Sequence, residues 1–377
     1  MRGPRASFSL SNACFVGARL TIVSISLKTP PGRPRNGQPW WTSSGAAATT
    51  IGMSDTDISA PPAVGASSIS SNLPSASATD LGRKPAWLKV RAPGGENYVR
   101  IKDMLKTLNL ATVCQEARCP NIGECWSGGT ATFMLMGEVC TRGCRFCAVK
   151  TGNPRGKIDN DEPEKVGYAI AKMGLEYVVI TSVDRDDLPD QGAEHFARTI
   201  RTIKAGDPKL IVEVLTPDFR GNRDHIKHIT DAAPHVFAQN IETVERLTRG
   251  VRDPRAGYRQ TMDFLAAVKE FDSSRFTKSS IMFGLGEERE EVIQTLRDLR
   301  TVGCDVVTFG QYLQPTKRHL KVQKYVTPEE FDDWKKIADD MGFLYVASGP
   351  LVRSSYRAGE FFMKGMVEKQ KRDAVTL

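Results

Sequence analysis

Six of the eight cysteines in this 377-residue chain lie between Cys114 and Cys147. They form two triplets, Cys114-x4-Cys119-x5-Cys125 and Cys140-x3-Cys144-x2-Cys147, and only Cys14 and Cys304 lie elsewhere. Eight thiols are too few for a disulfide scaffold of this size. Structural zinc is the stronger competitor, because clustered cysteines commonly bind it. A closed zinc site wants four nitrogen or sulfur ligands, however, and each triplet offers three. All five histidines lie at His195 or beyond, outside the cysteine-rich segment. An iron–sulfur cluster fits better: three thiolates hold three irons of a cubane and leave the fourth open. An open metal position marks a catalytic site rather than a structural one.

From about residue 130 the chain alternates short β-branched runs with helical stretches. Candidate strands are 132–136, 177–181, 211–215, 236–240, 279–283, 306–309 and 344–347. Candidate helices are 162–173, 193–205, 258–271, 288–302 and 328–341. Strands alternating with helices predict successive βαβ units and a parallel sheet, either doubly wound or barrel-shaped. Polar residues follow the strand runs: Thr181 to Asp187, Thr216, Asn240 with Glu242, Gly284 to Glu287, and Gln311. In parallel α/β folds the carboxyl ends of the strands carry the site. The second triplet follows the first strand directly, which puts it at that end.

Charge locates the appendages. Fifty-two basic and 44 acidic side chains give a net charge of +8. Six of the basic residues (Arg2, Arg5, Arg19, Lys28, Arg33 and Arg35) fall in residues 1–54, which hold no acid. The basic balance therefore belongs mainly to this leader and does not mark a nucleic-acid-binding face. Its Ser, Ala, Pro and Arg content reads as an organelle transit peptide. Prolines at 4, 30, 31, 34 and 39 would interrupt an amphipathic helix, so a plastid stroma is expected, with the mitochondrial matrix as the alternative. Residues 55–85 read as a disordered linker, and the folded region starts near Pro85. No apolar run approaches the ~20 residues that span a bilayer, so no transmembrane helix is expected.

The motifs also carry a resemblance. Cys140-Thr-Arg-Gly-Cys144-Arg-Phe-Cys147 resembles the motif of the radical S-adenosylmethionine superfamily. Cys114-Gln-Glu-Ala-Arg-Cys119-Pro-Asn-Ile-Gly-Glu-Cys125-Trp126 is similar to the pattern of the lipoyl synthase family within it. So are Thr181 to Leu188, Val251 to Arg255, Gly310 to Pro315, and Gly349-Pro-Leu-Val-Arg-Ser-Ser-Tyr356. The resemblance runs from about Arg83 to about Val367. It implies a partial (β/α)6 TIM-type barrel, with a cysteine-rich extension at 86–130, the barrel and a ligand-bearing tail at 131–357, and a C-terminal helix or tail at 358–377. It implies two [4Fe–4S] clusters. Cys140, Cys144 and Cys147 would hold the reducing cluster, whose open iron takes S-adenosylmethionine. Cys114, Cys119 and Cys125 would hold an auxiliary cluster, with Ser355 as its fourth ligand and Ser354 as the second choice. That cluster would give up its sulfur for insertion at C6 and C8 of a protein-bound octanoyl chain. The implied partners are an octanoylated lipoyl domain or carrier protein, a reduced ferredoxin-type electron donor and an iron–sulfur cluster carrier. Neither nucleic acid nor membrane is implied.

Other residues carry less. Asp184, Asp186 and Asp187 could contact a cofactor, but acids in a strand–helix loop more often cap or face solvent. Gly284-x-Gly286-Glu287 is weak evidence of a nucleotide site. Arg353 could orient the tail. Lys317 to Lys321 is a short basic run whose default reading is a solvated face. Cys304 reads as a small buried hydrophobe. The competing functions are another sulfur-inserting radical enzyme and a non-catalytic iron–sulfur or zinc protein.

Overall fold

A computed structural model describes residues 83–90, 92–355 and 360–375. The leader and the linker up to residue 82 lie outside the described residues. A single 3-10 turn at Ala86–Leu88 stands where the sequence starts its folded region. Helix α1, Glu96–Leu108, turns Ile101, Leu105 and Leu108 inward, one stripe at helical spacing. It stops at Asn109, whose left-handed φ of 53° closes the C-cap. Strand β1 (Ala111–Thr112), α2 (Val113–Glu116) and α3 (Ile122–Ser127) complete the cysteine-rich extension.

The β/α alternation then begins with β2 (Phe133–Leu135). Strands β3 (Val139–Cys140) and β4 (Lys150–Thr151) pair as a separate ribbon around the second triplet. The next elements are α4 (Glu162–Met173), β5 (Tyr177–Ser182), α5 (Ala193–Gly206), β6 (Ile211–Leu215), α6 (Arg223–Asp231) and β7 (Val236–Ala238). After them come α7 (Glu245–Val251), α8 (Tyr258–Phe271), β8 (Phe276–Phe283), α9 (Arg289–Thr301), β9 (Val306–Gln311), α10 (Pro328–Asp340), β10 (Tyr345–Gly349) and α11 (Glu360–Val375).

The main sheet has eight strands in the order β1-β2-β5-β6-β7-β8-β9-β10. From β2 to β10 every neighbour pair is parallel. The result is a partial TIM-type barrel, with six β/α repeats from β2 to α10 followed by β10. One strand departs from the parallel sheet predicted above: β1 runs antiparallel to β2, pairing Ala111 with Met134 and Thr112 with Phe133. Two residues are too short a run for alternation to register.

Alternation sorts the barrel interior by height. At the amino ends of the strands, Tyr177, Ile211, Val236, Phe276 and Val306 form one apolar layer, and Met363 and Val367 of α11 cover it. One layer up, Lys278 reaches Glu213 at 2.7 Å, and the Tyr177 hydroxyl donates to the same carboxylate. Burying an ion pair requires such satisfaction of its remaining lone pairs. The outward residues Val178, Ile180, Val212 and Val214 face the helices, so β5 and β6 are apolar outside and at the barrel floor, with polar groups only higher in the interior. The third layer upward is polar, and there the barrel opens.

Candidate active site

A cavity of about 460 Å³ lies at the carboxyl ends of the strands. Cys140, Cys144 and Cys147 line it beside Thr181, Thr216, Asn240, Glu242 and Gln311. These are the polar strand-end residues singled out in the sequence. The same cavity is also lined by Cys119, Arg353, Ser354 and Ser355. A smaller cavity adjoins it, lined by Cys114, Cys119, Cys125, Asn121, Arg353 and Ser355. The two triplets thus border neighbouring spaces that share Cys119, Arg353 and Ser355. All seven cysteines of the described residues are free thiols. Among those residues no three His, Cys, Asp or Glu side chains converge on a point that would chelate a single ion. Thiols spread around a cavity suit a cubane, in which each thiolate takes its own iron.

The second triplet sits on a rigid loop. Arg142, between its first two cysteines, has a side chain only 2 % exposed. It donates to Asp218 at 2.7 Å and to Asp186 at 3.1 and 3.2 Å, and lies 3.4 Å from Asp184. Burial alone would lower its pKa; the bond to Asp218 and the charge of Asp184 outweigh that and raise it, so the guanidinium stays charged. Gly143 N–H donates to Asp253 at 2.8 Å. Backbone amides then reach the sulfurs: Arg142 and Asp184 donate to Cys140 Sγ at 3.4 Å each, and Asp253 to Cys144 Sγ at 3.3 Å. Such N–H···S bonds tune iron–sulfur centres. In the bare loop, burial pushes the Cys140 and Cys144 thiols up to about 12 and Cys147 to about 11. Metal uptake must therefore displace protons.

Glu242 enters the cavity from a strained backbone, with φ at 67°. The strain persists because Glu242 N–H donates to Ser280 O and its carbonyl accepts from Met282 N–H, both at 2.9 Å. Burial raises its carboxyl pKa, opposed by the charge of Arg252 and the 3.0 Å bond from Asn240 Nδ2. Together Asn240 and Glu242 offer a fixed polar ledge to a ligand with hydroxyl groups.

The remaining sequence candidates divide. Asp184 lines the cavity, whereas Asp186 accepts from Arg142, Arg220 and Arg255. Asp187 binds Arg185 and the Gly156 amide instead. Glu287 accepts from the amides of Gly284 and Leu285, and Gly284 (φ 97°) packs on the Lys324 carbonyl, so that turn is structural. Within the run Lys317 to Lys321, His319 hydrogen-bonds the Cys147 carbonyl at 2.9 Å and Leu320 N–H donates to Arg145 O at 3.3 Å. His319 and Leu320 therefore brace the second triplet, while Lys317, Arg318 and Lys321 are exposed, the solvated face expected. Cys304 is fully buried, as expected. Arg142, Asp218, Asn121 and His319 escaped the sequence reading. Arg142 lies inside the motif itself, but nothing in its spacing distinguishes a buried arginine from an exposed one.

Comparison with known proteins adds a second line. The chain matches the family model of the Radical SAM superfamily over residues 134–299. It matches the N-terminal domain of lipoyl synthase of the Radical_SAM family over residues 66–119. The mitochondrial lipoyl synthase of Culex quinquefasciatus is 59% identical over 293 residues, covering 76% of this chain and 77% of that protein. The chain belongs to the lipoyl synthase family. The chloroplastic lipoyl synthase of Chlamydomonas reinhardtii is 56% identical over 319 residues, 84% of this chain and 74% of that one. The lipoyl synthase of Myxococcus xanthus is 57% identical over 293 residues, and the match takes in 98% of it but 78% of this chain. Membership in this radical family carries with it a [4Fe–4S] cluster and S-adenosylmethionine. The free thiols and amide-to-sulfur bonds around the larger cavity fit that cluster.

Proposed function

We propose that this chain is a lipoyl synthase that inserts two sulfur atoms at C6 and C8 of a protein-bound octanoyl group. The carrying observation is that two cysteine triplets border adjoining cavities and share Cys119, Arg353 and Ser355 across the boundary. Cys140, Cys144 and Cys147 would hold the reducing cluster; Cys114, Cys119, Cys125 and Ser355 would hold an auxiliary one, with Ser354 as the alternative to Ser355. When bound, the first cluster with S-adenosylmethionine supplies a 5′-deoxyadenosyl radical, and the second supplies sulfur. The chain's own residues do the rest. The Arg142–Asp218 pair and the Gly143–Asp253 bond hold the second triplet in one shape. Asn240 and Glu242 accept and orient hydroxyls of the cofactor. The barrel walls exclude water from a reactive centre. A hard serine oxygen on thiolate-ligated iron is a labile bond, which suits a cluster that must give up sulfur.

The substrate would be an octanoylated lipoyl domain or carrier protein, with a reduced ferredoxin-type donor and an iron–sulfur cluster carrier as further partners. No nucleic acid or membrane surface takes part in this reading. Residues 1–54 would act as a transit peptide and 55–85 as a linker; the extension would end at 130, the barrel and ligand-bearing tail at 357, with a C-terminal helix or tail over 358–377. An organelle follows from the leader and from relatives named for mitochondrion and chloroplast; the helix-breaking prolines favour the plastid stroma over the mitochondrial matrix.

The test compares Cys114→Ala with Cys140→Ala in anaerobically reconstituted protein. Cys114→Ala is expected to form 5′-deoxyadenosine and no lipoyl product; Cys140→Ala is expected to form neither. Sulfur insertion by Cys114→Ala at the unsubstituted rate would overturn the assignment of the first triplet.

A further inference from the structure

Asn121 lies between the second and third cysteines of the first triplet and is 2 % exposed. It is the N-cap of α3, where an asparagine side chain ordinarily accepts from the first turn. Here the side chain makes no cap bond. Its Nδ2 instead donates to the Leu351 carbonyl, 230 positions along the chain, at 2.7 Å. Its Oδ1 is buried without a hydrogen-bond partner. Giving up a cap and burying an unpaired oxygen each cost stability, so the orientation serves the tail contact. The backbone of the same residue addresses the cysteines. The Asn121 carbonyl accepts from Cys125 N–H at 2.9 Å, and the next amide, Ile122 N–H, donates to the Cys119 carbonyl at 3.3 Å. Asn121 therefore bonds both a cysteine of the triplet and the tail.

The far side of the tail is fixed by β9. A Cβ built on Gly310 would lie 2.1 Å from the Val352 carbonyl oxygen, so only glycine lets the tail approach. Arg353 Nη1 donates back to that carbonyl at 2.6 Å. Leu351 and Val352 are thus gripped between Asn121 and Gly310, and Ser354 and Ser355 follow directly.

We propose that Asn121 is a positioning residue that clamps the tail against the first cysteine triplet and so presents the serine hydroxyl to it. The clamp rests on the coordinates; its consequence for a cluster rests on the reading of Ser355, or Ser354, as a ligand. Two measurements separate these. The first is amide hydrogen exchange of the tail peptide 351–355 in the full chain without iron. In Asn121→Asp, which keeps the side-chain volume and loses the donor, and in Gly310→Ala, which pushes from the other side, protection should fall about tenfold or more. The loss should stay within the tail and leave β6 and β7 unchanged. Unchanged protection, or an equal loss across the barrel, would overturn the clamp. The second is iron release to bathophenanthroline from reconstituted protein carrying Cys140→Ala, Cys144→Ala and Cys147→Ala, where iron reports the first triplet alone. Faster release in both clamp variants would tie the clamp to the ligand. A freed tail with unchanged release would uphold the clamp and overturn the serine ligand.

Discussion

Arg142 shows how much one side chain carries. Three aspartates from two loops, Asp184 and Asp186 after β5 and Asp218 after β6, meet on it. Removing it leaves buried carboxylates uncompensated, which costs about 3–5 kcal/mol. Arg142→Met is expected to lower the stability of the iron-free chain by that amount in urea unfolding, with the Cys140 loop losing exchange protection first. Asp186 gives the matching pH dependence. Burial would raise its pKa, but the bonds from Arg142 and Thr141 hold it down at about 2. An unfolded aspartate titrates near ~3.9. The stability it contributes is therefore present above pH ~4 and is lost as pH falls toward 2. Asp186→Asn should flatten that part of the stability curve, checked by denaturant midpoints across the range. Cys304 makes an independent prediction. Burial pushes its thiol up to about 12, beneath a fully covered surface. Iodoacetamide at pH 8 should leave Cys304 unmodified in the folded chain and alkylate it in urea, read by peptide mass. Labelling in the folded chain would show that the β8–β9 layer opens.

The elements divide by how far their signals are local. The seven parallel strands of the main sheet stand where apolar, β-branched runs predicted them, and 211–215 matches Ile211–Leu215 end to end. Helices 162–173 and 258–271 also match in full, because their apolar stripes and flanking glycines are local features. The short β1, β3, β4, α2 and α3 escaped, since two to six residues hold less than one reliable period, and α1, α6 and α7 were not among the candidate helices. The candidate site was legible where a motif fixes it: the second triplet, Cys119 of the first and the strand-end residues Thr181, Thr216, Asn240, Glu242 and Gln311 line one cavity, and Cys114 and Cys125 line the smaller one beside it. Contacts made across the chain were not legible. Asn121 to Leu351 spans 230 positions and His319 to Cys147 spans 172, and no spacing rule reaches that far. Helix α11 has the same character. Met363, 1 % exposed, caps the lowest barrel layer, and Lys364 pairs with Glu176. Met363→Ala is expected to cost about 2 kcal/mol or more. The measurement is the urea midpoint of the full chain; an unchanged midpoint would mean that α11 does not close the barrel floor.

At the scale of the whole molecule, the sheet brings residues from both termini of the folded region to one mouth. Residues near position 119 and near position 353 line the same cavity as the loop at 140–147. The most direct test reconstitutes the protein anaerobically with iron and sulfide. It is then incubated with an octanoylated lipoyl domain, S-adenosylmethionine and a reductant, and the domain is weighed by mass spectrometry. The account predicts a gain of two sulfurs with loss of two hydrogens, alongside 5′-deoxyadenosine. Formation of 5′-deoxyadenosine with no change in the mass of the domain would contradict it.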